Sequence, residues 1–159
     1  MKILQAKPEH AGEIGRLNDA VQKMHAEHHP DVFKYPTDAA EMERFFHDRM
    51  SADDNFIFVA MLAGHAVGYV WCAIELKKEN VFKYGQRRVY IHQLSVEPQC
   101  RRKGVGRELM VAVASLARRN DIGRFALDSW AFNKEAHDFF EQLGFLRFNI
   151  NMWREAESD

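Results

Sequence analysis

The spacing of apolar positions changes along the chain between the period of a helix and that of a strand, and each change marks an element. Lys2 to Ala6 reads as a short strand. Pro8 and Glu9 suit a helix start, after which Ile14, Leu17, Val21 and Met24 recur at helical spacing as far as His29-Pro30. Thr37 as N-cap, with Asp38 in the first turn, opens a second helix whose apolar face is Met42, Phe45, Phe46 and Met50. Val89 to Val96 alternates as a strand that Pro98 stops. Val105, Leu109, Val113 and Leu116 then define a helix from about Gly104 to Asn120, followed by a strand over Arg124 to Trp130. Asn133 opens a last helix, Gly144 ends it, and Phe145 to Arg154 is expected to supply one or two closing strands.

Phe56 to Ile74 needs a separate decision, because its 19 residues approach the length of a bilayer span and only His65 is strongly polar. Ala63-Gly64-His65 divides the stretch, and both sides are rich in Phe, Val, Ile, Tyr and Trp. That suits two buried strands joined by a tight turn, about Asn55 to Leu62 and Ala66 to Leu76. The resulting order is β, α, α, β, β, β, α, β, α, β, a mixed α/β domain, with Lys77 to Arg88 as a basic, solvated loop.

At 159 residues the chain has the size of one domain, and no linker or repeat divides it, so 1–159 is read as a single domain. Apolar residues at 47% and charged residues at 28% exclude a disordered or collagen-like chain. A net charge of −1 excludes a molecule-wide field that would draw it to nucleic acid or anionic lipid, so neither partner is expected. The charge is uneven: residues 1–60 carry 11 acidic and 7 basic side chains, a tilt that favours a cationic ligand there. Cys72 and Cys100 lack a CxxC spacing and the first residues do not read as a signal peptide, so a cytoplasmic location is expected.

Leu94 to Arg107, LSVEPQCRRKGVGR, joins a strand, a basic turn, a GxG pair and a helix start. A helix start presents unpartnered N–H groups and the positive end of the dipole. Gly104 and Gly106 let an anion approach the main chain, and Arg101, Arg102, Lys103 and Arg107 add charge. A pyrophosphate fits. The Walker A pattern is absent, and Leu109 stands where the third glycine of a dinucleotide fingerprint would be. A bare GxG serves equally for tight helix packing.

With Arg101-Arg102-Lys103-Gly104-Val105-Gly106 behind Val96-Glu97-Pro98, and Asn133 followed by Ala136-His137-Asp138-Phe139-Phe140-Glu141-Gln142-Leu143-Gly144-Phe145, the sequence resembles the GNAT superfamily of N-acetyltransferases from about Val89 to Phe145. The resemblance implies a largely antiparallel central sheet flanked by about four helices, with strands splayed at the cofactor site. It implies acetyl-CoA as cosubstrate: pantetheine on main-chain groups of Leu94 and Val96, and pyrophosphate on N–H groups from Arg102 to Arg107, Val105 included. Asn133 would bond the pantetheine or acetyl end, and Phe140 would pack near the sulfur.

An amine acceptor must lose a proton before it attacks a thioester, since an alkylammonium has a pKa of about 10.4. Alternation on 89–96 puts Tyr90, His92, Leu94 and Val96 on one face, where His92 is the good base. In arylalkylamine acetyltransferases histidines match Tyr90 and His92, and in polyamine acetyltransferases a glutamate matches His92, which supports that role; a strand histidine bonded to a neighbour is the alternative. A main-chain N–H at Leu94 or Ser95 would hold the oxyanion. The family often has a tyrosine acid where this chain has Phe140, which leaves Tyr90 as a stand-in. A thiolate leaving group near pKa 8.5 also departs unaided, on the order of the free-thiol value.

These readings give a single-domain enzyme that acetylates a primary amine of a small molecule through a ternary complex. A peptide or protein acetyltransferase and a non-catalytic acetyl-CoA sensor are the alternatives. No metal is expected: His25, His28 and His29 form an HxxHH cluster at a helix end without nearby cysteines. Trp71, Trp130, Phe132 and Trp153 read as core or as walls of an acceptor pocket. Family analogy names a homodimer as the oligomer to look for.

Overall fold

The N-terminal strand β1 (Lys2–Gln5) lies at the edge of a sheet completed by β2 (Asn55–Leu62), β3 (His65–Lys77), β4 (Gln86–Val96) and β5 (Phe125–Leu127), in that order, in a computed structural model that describes residues 1–156. The first three pairings are antiparallel, and β5 joins β4 in parallel. The described chain divides into two units, Met1–Asp128 and the segment from Ser129 onward.

The long apolar stretch is the expected hairpin. Ala63 and Gly64, at φ 49° and 84°, supply the positive φ pair that a tight right-twisted turn needs. Among the described residues no helix is long and apolar enough to cross a membrane.

Helix α1 (Ala11–His28) follows a single turn at Pro8–His10 and buries Ala11, Ile14, Leu17 and Asn18. It stops two residues before Pro30, because a residue ahead of proline is pushed out of the helical region. Helix α2 (Ala39–Met50) is capped by Asp38 rather than Thr37: the Asp38 carboxylate accepts from the Glu41 N–H at 2.8 Å. Phe46 of α2 is fully buried and meets Tyr69 and Trp71 of β3 edge to face.

Helix α3 (Val105–Arg119) buries Val105, Leu109, Met110, Val113, Leu116 and Ala117, which includes all four positions read from its period. It covers the opposite face of the sheet from α1. Gly68 of β3 shows this close packing, since a Cβ there would lie 2.9 Å from the Ser95 carbonyl oxygen and 3.2 Å from Val105.

A polar network joins α1 to the sheet. The buried Tyr69 hydroxyl lies 3.0 Å from Asn18 Oδ1 and 2.8 Å from Gln93 Oε1, and Ser95 Oγ donates to the Leu17 carbonyl at 2.9 Å. Arg16 reaches both Glu97 and the Ala66 carbonyl, and Glu13 accepts from the Ala66 N–H at 2.8 Å.

In the second unit, α4 (Lys134–Gln142) is capped by Asn133, whose side chain accepts from the Ala136 N–H at 3.1 Å. Gly144, at φ 86°, takes the left-handed position after its end, and the Phe145 N–H closes back on the Phe140 carbonyl at 3.0 Å. The closing strands expected over Phe145 to Arg154 are not formed: this segment carries no ladder, and Leu146, Phe148, Ile150 and Met152 are exposed. A period of two sets which side of a strand is apolar, but a strand also requires a hydrogen-bonding neighbour in register.

Candidate active site

Two features of β4 create a site. The first is a splay. The parallel ladder to β5 covers only Val89–Ile91 against Phe125–Leu127, while β4 continues to Val96. Beyond Ile91 the main chain therefore has no strand paired to it on that side among the described residues. The strand then feeds through a turn at Pro98–Cys100 into the N-terminus of α3. Gly104 caps that helix at φ 84°, and a Cβ placed on it would meet nothing within 4 Å. The space around the Gly104 Cα is thus open, and the first N–H groups of a helix are the ones left without intrahelical partners. Arg102, Lys103 and Arg107 are exposed around it, and Val105 turns inward to the core. Arg101 is placed differently: its Nε donates back to the Val96 carbonyl at 3.2 Å.

The second feature is a bulge. Trp71 pairs with Gln93 and Cys72 with Ile91, so His92 is the extra residue on β4. This corrects the simple alternation. Tyr90 and His92 face α2, but after the bulge Leu94 and Val96 turn toward α3, and Ser95 faces α1. The His92 ring stacks on Trp71 at 4.3 Å, and Trp71 is held in turn by its indole N–H on Asn55 Oδ1 at 2.8 Å. Burial against this aromatic wall holds the His92 imidazole below the usual histidine range; Glu75 pulls it upward and Arg49 pushes it down. A shift in that direction favours the neutral imidazole, the form that can accept a proton.

Tyr90 sits 5.0 Å from the His92 ring, its hydroxyl donating to Asp128 Oδ2 at 2.5 Å. Burial and that carboxylate both raise the Tyr90 pKa above the ordinary phenol value. The Arg88 guanidinium lies 4.8 Å from the Tyr90 ring and bonds Glu75 through Nε and Nη2. Burial alone would raise the Glu75 pKa, but Arg88 and then Lys77 hold it below the usual carboxylate range. The result is one strand carrying an imidazole beside a tyrosine-carboxylate pair and leading through a turn into the start of α3.

A model of the acetyltransferase (GNAT) family matches residues 19–145. The chain belongs to that family. It is 32% identical over 90 residues to N-alpha-acetyltransferase 30 of Xenopus laevis, covering 57% of this chain and 31% of that protein. The chain thus spans about a third or less of the length of the first curated relatives it matches. Among solved structures, the tetramutant of BH1408 from Bacillus halodurans superposes with a TM-score of 0.89 at 21% identity, over 98% of this chain and 100% of that one. An aminoglycoside N-acetyltransferase, AAC(6')-Iy in complex with CoA, superposes with a TM-score of 0.78 at 19% identity, over 99% of this chain and 95% of that one. These likenesses fix the fold: a five-stranded mixed sheet with four helices among the described residues.

In this GNAT member the other residues singled out by sequence divide by location. Asn133 and Phe140 belong to the second unit, where Asn133 caps α4 and Phe140 packs on Phe139 and Phe145 at 5.1 and 5.3 Å. Trp130 meets Phe132 and Trp153 there at 6.4 and 5.8 Å. His25 stacks on Phe33 at 4.8 Å and is held below the usual histidine range mainly by burial. Among the described residues no group of three or more His, Cys, Asp or Glu could hold a metal ion. The stretch from Lys77 to Arg88 is not all solvated loop: Lys77 ends β3 and Gln86 to Arg88 open β4, where pairing with β3 orders them, and Arg87 donates to the Asn120 carbonyl at 2.8 Å at the end of α3.

Two residues escaped the sequence reading. Asp128 lies two positions beyond Ala126, which pairs with Tyr90, so alternation on β5 signals its placement. Arg49 lies four positions beyond Phe45 and three beyond Phe46, on the α2 face turned to β3, yet a charged residue adds nothing to the apolar period that marks that face.

Proposed function

We propose that the chain is an acetyl-CoA-dependent N-acetyltransferase that moves an acetyl group to a primary amine of a small molecule by direct attack in a ternary complex. The observation that carries this reading is the continuity of β4, with a bulged, neutral His92 at one end of the splay and the Gly104 cradle at the other. The family match runs across both units, which supports one functional domain over 1–159. Its likeness to an aminoglycoside N-acetyltransferase in complex with CoA supports both the cosubstrate and the small acceptor.

In this mechanism the cradle, with N–H groups of Arg102 to Arg107 and the side chains of Arg102, Lys103 and Arg107, holds the pyrophosphate. Leu94 and Val96 offer main-chain groups to the pantetheine along the opened edge, and a main-chain N–H at Leu94 or Ser95 receives the oxyanion. His92 takes the ammonium proton, directly or through a water, and the free amine attacks the thioester carbonyl. The tetrahedral centre collapses with cleavage of the C–S bond, and the second proton of the attacking nitrogen passes to the departing thiolate through water or the stand-in Tyr90 hydroxyl, which leaves a neutral amide and the CoA thiol. Direct attack is favoured over a cysteinyl intermediate because both cysteines are buried, and burial pushes the Cys72 thiol up to about 12. Two free thiols also suit a reducing, cytoplasmic setting.

Identity to N-alpha-acetyltransferase 30 supports a second reading, acetylation of a peptide N-terminus. Thiol release from acetyl-CoA across polyamines, arylalkylamines, aminoglycosides, amino acids and short peptides tests both. Release with a small amine and not with peptides supports the first, and the reverse supports the second. Cofactor binding with no release from any acceptor overturns both in favour of a sensor.

A further inference from the structure

The face beside His92 carries a charge that the proposed base does not need. Arg49, in the last turn of α2, places its guanidinium carbon 4.9 Å from the Phe45 ring centroid and 5.7 Å from that of Trp71. Trp71 is the ring on which His92 stacks. Arg49 forms no ion pair among the described residues, although Glu75 on the same side of the sheet is taken by Arg88 and Lys77. A guanidinium held over aromatic rings keeps its in-plane N–H fork available, and that fork matches a carboxylate. The charge here runs against the acidic tilt of residues 1–60, which by itself favours a purely cationic acceptor.

At the other end of the same row, past Tyr90, the exposed Asp128 carboxylate presents negative charge. The order Arg49, Trp71, His92, Tyr90, Asp128 therefore sets an unpaired cation on one side of His92 and, past an Arg88 guanidinium already neutralised by Glu75, a carboxylate on the other. A polyamine or aminoglycoside would meet Asp128 with one amine but bring further positive charge toward Arg49. A molecule carrying an amine and a carboxylate would match both ends.

Resting on the acetyltransferase reading, we infer that the acceptor is an amine that also bears a carboxylate, with Arg49 as its carboxylate-binding, specificity-determining residue. The amine lies toward His92 and Asp128, and the carboxylate is received by the Arg49 fork. Free amino acids and short peptides with an acidic group near the N-terminus share this chemistry.

The test compares kcat/KM for matched pairs, each amino acid against its carboxamide and each acidic peptide against its amide form, in wild type, Arg49→Gln and Arg49→Lys, with thermal melts to verify folding. The wild-type ratio of acid to amide is expected to be about tenfold or more, carried in KM, as for a charge-assisted hydrogen-bond pair. Arg49→Gln is expected to bring the ratio close to one, and Arg49→Lys to leave it intermediate. The larger ratio, in the free acids or the peptides, identifies the source. A wild-type ratio near one, or a ratio that Arg49→Gln leaves unmoved, overturns the inference. If neither series releases thiol, the acetyl-transfer reading fails on its own. Calorimetry with N-acetylated amino acids and their amides then still decides the carboxylate site, and equal affinities overturn it.

Discussion

Tyr90 and Asp128 face each other across the short parallel ladder between β4 and β5, with the phenol proton held on the carboxylate at 2.5 Å. The pair closes the end of the His92 row nearest the splay. Because burial and Asp128 both raise the Tyr90 pKa, the hydroxyl stays protonated through neutral pH, and it is a weak acid for a thiolate that leaves without much help. Its main contribution in the proposed reaction is position. Tyr90→Phe is therefore expected to lower kcat by about tenfold, the equivalent of one charge-assisted hydrogen bond. Asp128→Asn should bring the Tyr90 pKa down toward the ordinary phenol value, read by ultraviolet titration of the tyrosinate. An unmoved Tyr90 titration in Asp128→Asn would show that burial alone sets it.

His92 should leave a pH signature. A general base works deprotonated, and burial holds this imidazole below its usual 6.5. The acid limb of kcat/KM is then expected below that value, with activity falling as pH drops through it. Arg49 lowers the His92 pKa and Glu75 raises it, so the limb should move up in Arg49→Gln and down in Glu75→Gln. His92→Ala should lower kcat at neutral pH by about 10²-fold and leave acetyl-CoA affinity nearly unchanged. A limb that stays put in both charge variants would remove His92 from the proton transfer.

How much of this was legible in the sequence depends on which interactions decided it. Elements with strong local signals were read closely: the α3 face, the Ala63-Gly64 turn, and the Asn133 and Gly144 ends of α4. The family followed from Arg101 to Gly106 and the helix after Asn133, and the family match includes both. The second helix was read one residue early, at Thr37, because Thr and Asp are both good caps and only geometry selects Asp38. The bulge at His92 was not legible, since one inserted residue in a ladder depends on the partner strand. That bulge moves Leu94 and Val96 off the face of His92. Asp128 and Arg49 went unread because each gains its meaning from a neighbour on another element, Tyr90 for one and Trp71 for the other.

The cradle offers a controlled comparison between two glycines. Gly104 and Gly64 share φ 84°, and a Cβ on either meets nothing within 4 Å. Alanine at each should cost a similar amount of stability, about 1–2 kcal/mol for forcing a side chain into left-handed backbone. Only Gly104 lies at the α3 start, where the new methyl would enter the space proposed for phosphate. Calorimetry with CoA should therefore show Gly104→Ala weakened by about tenfold, Gly104→Val further, and Gly64→Ala unchanged. Equal affinity in the two alanine variants would mean that the pyrophosphate is held elsewhere.

Beneath the site, the Tyr69 hydroxyl couples α1 to the strand that carries His92. It has one proton and two carboxamide oxygens in range, Asn18 Oδ1 and Gln93 Oε1, so one amide must turn its NH2 group toward it. Asn18 is only 2% exposed, and no water can easily replace a lost partner. Tyr69→Phe keeps the ring against Phe46 and removes only the oxygen, so its cost is that of an orphaned buried amide, about 1–3 kcal/mol. For a chain of this size that lowers Tm by about 2–4 °C per kcal/mol. Asn18→Leu removes the amide instead and leaves the hydroxyl on Gln93. If the two groups depend on one another, the double variant should be more stable than the two single losses added together. Strict additivity in thermal melts would show that Gln93 alone satisfies Tyr69, and that α1 is held to β4 by Ser95 and the apolar contacts of Ile14 and Leu17.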